Sequence, residues 1–122
     1  MRKNIAILIS IIVVTCSCKN KTTSVKSYYD HDGKILKEEY DVVTDSPSVK
    51  NGSYILYNQF GKKIETRTYN HNQLTDTLRR FYDSGNLSEV CIYKSNNING
   101  YRKLFFESGK LMQFENYKDG RF

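Results

Sequence analysis

The side chains able to do chemistry are few and widely spread along this chain. Its two histidines, His31 and His71, stand 40 residues apart, and both fall where turns are predicted. His31-Asp32 is a metal-ligand pair by residue type. A metal site needs further converging His or Asp ligands, and no elements that would supply them are predicted. No phosphate-cradling glycine loop, nucleophile elbow or Cys-x-x-Cys pair occurs. Glu65, Glu89 and Glu115 recur about one per repeat of the pattern described below. An acid–base pair needs carboxylates converging within about 5–10 Å, so carboxylates spaced along a sheet are expected on a solvated face. Cys91 is a lone thiol in a predicted strand and reads as a small packed hydrophobe. The expectation is a non-enzymatic protein with no cofactor and no metal.

Two further cysteines carry a different chemistry. Residues 1–17 begin with Arg2 and Lys3, continue as aliphatic sequence from Ile5 to Val14 broken only by Ser10, and end in small residues. This is the grammar of an export signal. The apolar run is about half the ~20 residues a spanning helix needs. The segment ends like a bacterial lipobox, whose cysteine takes a diacylglycerol thioether. Cys18, preceded by Ser17, is the predicted acceptor, with Cys16, preceded by Val13-Val14-Thr15, as the alternative. Removal of Arg2 and Lys3 with the leader lowers the net charge from +6 to +4. Two or three acyl chains hold a protein on a membrane, at about 0.8 kcal/mol per buried CH₂. Residues 18–27 contain no aromatic and read as a polar tether. No Asp follows either cysteine, so the anchor is expected in the outer membrane, facing the periplasm.

All ten Tyr and six Phe lie at or after residue 28. Over residues 28–122 the chain repeats with a period of 24. Gly61, Gly85 and Gly109 share one column, as do Tyr69, Tyr93 and Tyr117, and Tyr57, Phe81 and Phe105. Gly52, Asp76 and Gly100 form another, and Asn72, Asn96 and Gly120 a fifth. The Gly and Asn columns tolerate the positive φ of tight turns. Between them run five to eight residues rich in Tyr, Phe, Ile, Val and Thr, which are strand formers. Two turns per period make each repeat a β-hairpin. A worn first copy runs from Tyr29-Asp-His-Asp-Gly33, and a loop at 44–48 holds the single Pro. The fold predicted is all-β: an open antiparallel meander of hairpins with about eight strands, at 27–29, 34–43, 53–58, 63–69, 77–82, 87–93, 101–106 and 111–117. On the second strands Ile64, Thr66 and Thr68 share a face, while Glu65, Glu89 and Gln113 share the other. A thin sheet buries little core, and Tyr69, Tyr93 and Tyr117 are expected to form an aromatic ladder along it.

Phe105-Phe-Glu-Ser-Gly-Lys-Leu111 with Tyr117-Lys-Asp-Gly120 resembles the variant MORN repeat, and the resemblance extends over residues 28–122. Proteins of this kind carry the label YwqK-like antitoxin, and many are bacterial lipoproteins. The chain departs from the usual pattern in having no Trp and in placing Asn72 and Asn96 where a turn Gly is common. The resemblance implies an open hairpin array without catalytic residues, linked to protein scaffolding and to membrane contact. Three functions compete. The first is a lipid-anchored envelope module whose sheet binds a protein partner. The second is binding of an anionic membrane or polymer surface through Lys62-Lys63, Arg79-Arg80 and Arg102-Lys103. The third is an antitoxin of a toxin–antitoxin pair. A basic stripe among aromatics also suits single-stranded nucleic acid, but an exported protein rarely meets it, and no nucleic-acid partner is expected.

Overall fold

The computed structural model describes residues 21–122. The segment 1–17 read as an export leader and both acylation candidates, Cys16 and Cys18, lie outside the described residues. The rest is one sheet of eight antiparallel strands in the order of the chain. The strands are β1 (Thr22–Tyr28), β2 (Leu36–Val43), β3 (Ser46–Tyr57), β4 (Lys63–Asn70), β5 (Gln73–Phe81), β6 (Leu87–Lys94), β7 (Asn97–Phe105) and β8 (Leu111–Tyr117). The predicted meander is therefore the observed fold. The strand starts differ from the composition-based reading chiefly at β1, β3, β5 and β7; β5 and β7 begin at Gln73 and Asn97, four residues before the predicted 77 and 101, because the reversals before them take only two residues. β1 starts at Thr22, inside the polar stretch read as tether, because Thr and Ser pair with β2 through the backbone and need no aromatic to do so. β3 starts at Ser46, so the reversal shrinks to Thr44-Asp45 and Pro47 enters the strand. Pro47 lies where the β2–β3 register steps from Val42↔Lys50 to Val43↔Ser46, and an irregular rung tolerates a residue without an N–H.

Two turn types alternate, one at each end of the strands. At one end Asn58, Tyr82 and Phe106 each donate a backbone N–H four residues ahead, to Lys62, Asn86 and Lys110, at 2.8–2.9 Å. The glycine of each turn closes the loop in the left-handed region, as at Gly85 with φ 89°. At the other end the reversal takes two residues with both φ positive: His71-Asn72, Ser95-Asn96 and Asp119-Gly120. That geometry matches the natural twist of a hairpin. A third irregularity recurs where Gly52, Asp76 and Gly100 take positive φ beside a step in register with the preceding strand. A Cβ at Gly52 would stand 2.7 Å from Asp41 Oδ2, which is why that column begins with glycine.

Strands contact chiefly their sheet neighbours, so among the described residues no second layer covers either face. The alternation of side chains follows the predicted one, but burial runs the other way. Glu65, Glu89, Tyr54, Leu78, Cys91 and Val42 are buried, and the cross-strand pairs place them on one face, with Val90 the one buried side chain of the other face among the described residues. Met112 and Phe114, on the opposite face, are 47% and 50% exposed. The expectation that the glutamates line a solvated face is corrected at Glu65 and Glu89. The long side chains around them, Arg67, Arg80 and Arg102, fold over the sheet and supply both cover and charge.

Candidate functional site

The buried face carries one connected polar chain. Antiparallel pairing sets Glu65 opposite Arg80, Arg80 opposite Glu89, and Arg102 opposite Glu115, all on one side of the sheet. Arg67 and Arg80 Nε donate to the two oxygens of Glu65, the latter at 2.7 Å. Arg80 Nη1 continues to Glu89 at 2.6 Å, and Arg102 Nε reaches the other Glu89 oxygen at 2.6 Å. Arg102 Nη1 then touches Glu115 at 3.4 Å, and Glu115 also accepts from Gln113 and Tyr117. Burial pushes the Glu89 carboxyl up, but the Arg102 and Arg80 bonds outweigh it and hold the group below its ordinary range. Arg80 is held more firmly protonated, first by its bond to Glu65.

The chain continues toward β1 through aromatic rings. Arg67 lies 5.1 Å over the Tyr54 ring, and its Nη1 donates to Tyr69 Oη at 3.1 Å. Tyr54 meets Tyr69 edge-on at 6.0 Å and stacks on Tyr40 at 6.1 Å. Lys50 sits over all three rings at 4.9–5.6 Å. Tyr54 Oη donates to Glu38 at 2.7 Å, and Ser27 Oγ to the other oxygen of Glu38 at 2.9 Å. Contacts of this kind thus link all eight strands, from Ser27 to Tyr117. Glutamate and arginine on one face at matched register carried the signal in the sequence, but reading it requires the hairpin registers.

Tyr69, Tyr93 and Tyr117 occupy matching places on β4, β6 and β8. They form a column without touching, because alternate strands lie about 9–10 Å apart and stacked rings must approach to about 7 Å. Ring contacts among the described residues join Tyr69 to Tyr54 and Tyr117 to Phe122, while Tyr93 has no ring partner. The expected stacked ladder is replaced by separate rings with Leu74, Asp76, Ile98 and Gly100 across from them on the intervening strands. Gly61, Gly85 and Gly109 all stand in the wider turns, with φ of 76°, 89° and 84°. Cys91 is 1% exposed, and burial pushes its thiol up, which keeps it protonated. His31 and His71 are exposed in separate turns. Among the described residues no group of three or more His, Cys, Asp or Glu could hold a metal ion.

The predicted basic pairs are divided between the faces. Arg80 and Arg102 point into the glutamate chain, while Val90 separates Arg79 and Lys103 on the other face. Lys103 lies 4.7 Å over Tyr101 and 5.7 Å over Phe114, and Lys63 lies 5.1 Å over Phe81. Apolar groups are displayed as well, at Tyr28, Tyr29 and Ile35, at Phe60, and in largest number toward the C-terminal end. Phe106, Leu111, Met112 and Phe114 are each about half exposed. Among the described residues β8 has a strand neighbour on one side only, so Leu111, Met112 and Phe114 lie on an edge strand. β1, the opposite edge, reads Thr-Thr-Ser-Val-Lys-Ser-Tyr and is mostly polar. Comparison with protein-family models, curated proteins and solved structures gave no match.

Proposed function

We propose that this protein is a lipid-anchored bacterial envelope protein whose hairpin sheet is a non-enzymatic protein-interaction or scaffolding module. The observation that carries this reading is the exposure of Phe106, Leu111, Met112 and Phe114 on and beside the edge strand β8. Exposed apolar groups along a sheet edge favour a protein partner. The export grammar of residues 1–17 and the acceptor Cys18, or Cys16, supply the anchor in this reading, and the MORN-like repeat pattern agrees with a scaffold. Acylation at Cys18 would leave only residues 19–21 before β1, a reach of about 10–14 Å from the bilayer. β1 would then lie at the membrane and β8 at the far end of the sheet. Anionic-surface binding is less favoured, because Arg80 and Arg102 are neutralised by glutamates and Lys103 and Lys63 are engaged by rings. Crosslinking in the native cell, followed by mass spectrometry, tests the proposal. It should recover the acylated cysteine and a specific envelope protein, and recovery of neither would overturn it.

A further inference from the structure

We infer that the outer edge of β8 is a strand-addition site for an extended basic segment of a partner protein, with an arginine directed at Glu115 and a lysine or aromatic side chain at Phe114. The inference rests on the interaction-module reading and names the chemistry of its partner.

The inner repeats show what a second strand of a hairpin needs. Glu65 on β4 takes Arg80 from the following strand, and Glu89 on β6 takes Arg102 from the following strand. On β8 Gln113 holds the place of Glu65 and Glu89 in the 24-residue period and Glu115 stands two residues further on; among the described residues no strand follows β8. The cation of Glu115 is Arg102 from the preceding strand, at 3.4 Å, and its other donors are the neutral Gln113 and Tyr117. The opposite face repeats the lesson. Thr66, Val90 and Phe114 share a column of the 24-residue period. Val90, flanked by Arg79 on β5 and Lys103 on β7, is 9% exposed, whereas Phe114 has a neighbour only on β7 and is 50% exposed.

The residues after β8 already turn back beside its outer edge. The Asp119-Gly120 turn reverses the chain, Lys118 bridges to Arg121, and Gly120 N–H donates to Ile98 O at 2.8 Å. Phe122 meets Tyr117 edge-on at 5.6 Å, as Leu74 stands across from Tyr69 one repeat pair earlier. Among the described residues Leu111 to Asn116 have no strand on their outer side, and an added strand can run there antiparallel to β8.

Charge selects the occupant. On β1, the side chains that share the glutamate face are Thr23, Val25 and Ser27, and Lys26 lies on the other face. β8 itself, Leu-Met-Gln-Phe-Glu-Asn-Tyr, contains no cation. Neither edge of a second copy therefore brings a cation to Glu115. The chain's own β7 has the required pattern. Arg102 stands opposite Cys91 in the column that continues to Glu115, and Lys103 stands opposite Val90 in the column that continues to Phe114. A partner strand of this Tyr-Arg-Lys type satisfies both faces while the backbone of β8 gains its second ladder.

The test uses the full chain in detergent micelles and a fluorescent peptide with the sequence of residues 97–106. Anisotropy should show saturable binding, and hydrogen exchange should slow at β8 amides and not at β1. Glu115→Lys should weaken binding by about tenfold or more, and a peptide with Glu in place of its arginine should regain affinity for that variant. Phe114→Ser, at a half-exposed position, should weaken binding with the melting temperature held. Absence of saturable binding, indifference to both substitutions, or protection at β1 would overturn the inference. So would self-association that Phe114→Ser abolishes and the peptide does not compete, which would make a second copy the occupant. A specific envelope partner in the cellular crosslinking, captured equally by the Glu115→Lys and Phe114→Ser variants, would leave the module reading standing and remove this edge from it.

Discussion

Without Arg80, two buried carboxylates, Glu65 and Glu89, lose the cation they share. Breaking a buried ion pair by removing one partner costs about 3–5 kcal/mol. The Arg80 side chain is 48% exposed, so solvent screening lowers the expected loss for Arg80→Ala to about 2–3 kcal/mol. Urea unfolding at neutral pH reads this directly, and a loss below about 0.5 kcal/mol would mark the chain as an ordinary surface network. Acid gives a second reading. The Glu89 carboxyl is depressed below its ordinary value of 4.5, so the native state holds its charge where the unfolded chain takes up a proton. Its contribution is complete above that value and is lost as pH falls through the lower folded one. Wild-type stability should therefore fall more steeply below about pH 4.5 than that of Glu89→Gln, whose neutral amide has nothing to titrate. Equal slopes in acid melting curves would refute the assignment. Glu89 also marks what a sequence conceals. Its period is plain, but its burial depends on which arginines face it, and that follows from register across the turns and bulges, not from spacing.

Asn96 makes the two-residue turns more than reversals. At φ 69° it occupies the left-handed region, its N–H donates to Leu74 O at 2.9 Å, and its Oδ1 accepts Leu74 N–H at 2.7 Å. Asn72 makes the same pair of bonds to Lys50, at 2.8 and 2.7 Å. Each turn thereby clamps to the strand that starts one hairpin earlier. Asn96→Gly keeps the backbone shape and loses the side-chain bond, an expected cost of about 1 kcal/mol. Asn96→Ala adds left-handed strain of about 1 kcal/mol and should be the worse of the two. The third turn offers the converse. Gly120, at φ 77°, keeps the N–H bond to Ile98 O but has no side chain to make the second. Gly120→Asn should gain about 0.5–1.5 kcal/mol from the clamp and the stiffer unfolded chain, seen as a raised urea midpoint. A lowered midpoint for Gly120→Asn, or Asn96→Gly no weaker than wild type, would remove the clamp. The turn columns were legible in the sequence because positive φ is a local demand that few residue types meet. The exchange of Gly for Asn was legible only as a departure, because the bond that explains it joins residues 22 apart.

A sheet one layer thick, whose strands contact chiefly their neighbours, is close to a one-dimensional array. Its stability is then a sum of rungs, and each rung depends on having a neighbour on both sides. The middle rungs, from β3 to β6, hold Tyr54, Glu65, Leu78, Glu89 and Cys91, all buried. The end rungs hold the half-exposed Tyr28 and the exposed cluster of β8. Local opening should therefore start at the ends and move inward. Native-state hydrogen exchange should rank amide protection highest in β4, β5 and β6 and lowest in β1 and β8. The charge chain sharpens this prediction. Because Arg80 joins β4, β5 and β6 through two glutamates, Arg80→Ala should cost most protection in the middle and change the order, leaving two weaker halves that open separately. An array without that linkage would lose protection evenly. Equal protection of all eight strands in the wild type would instead mean that the sheet opens as a single cooperative unit, and that the polar chain from Ser27 to Tyr117 couples the strands as strongly as a packed core.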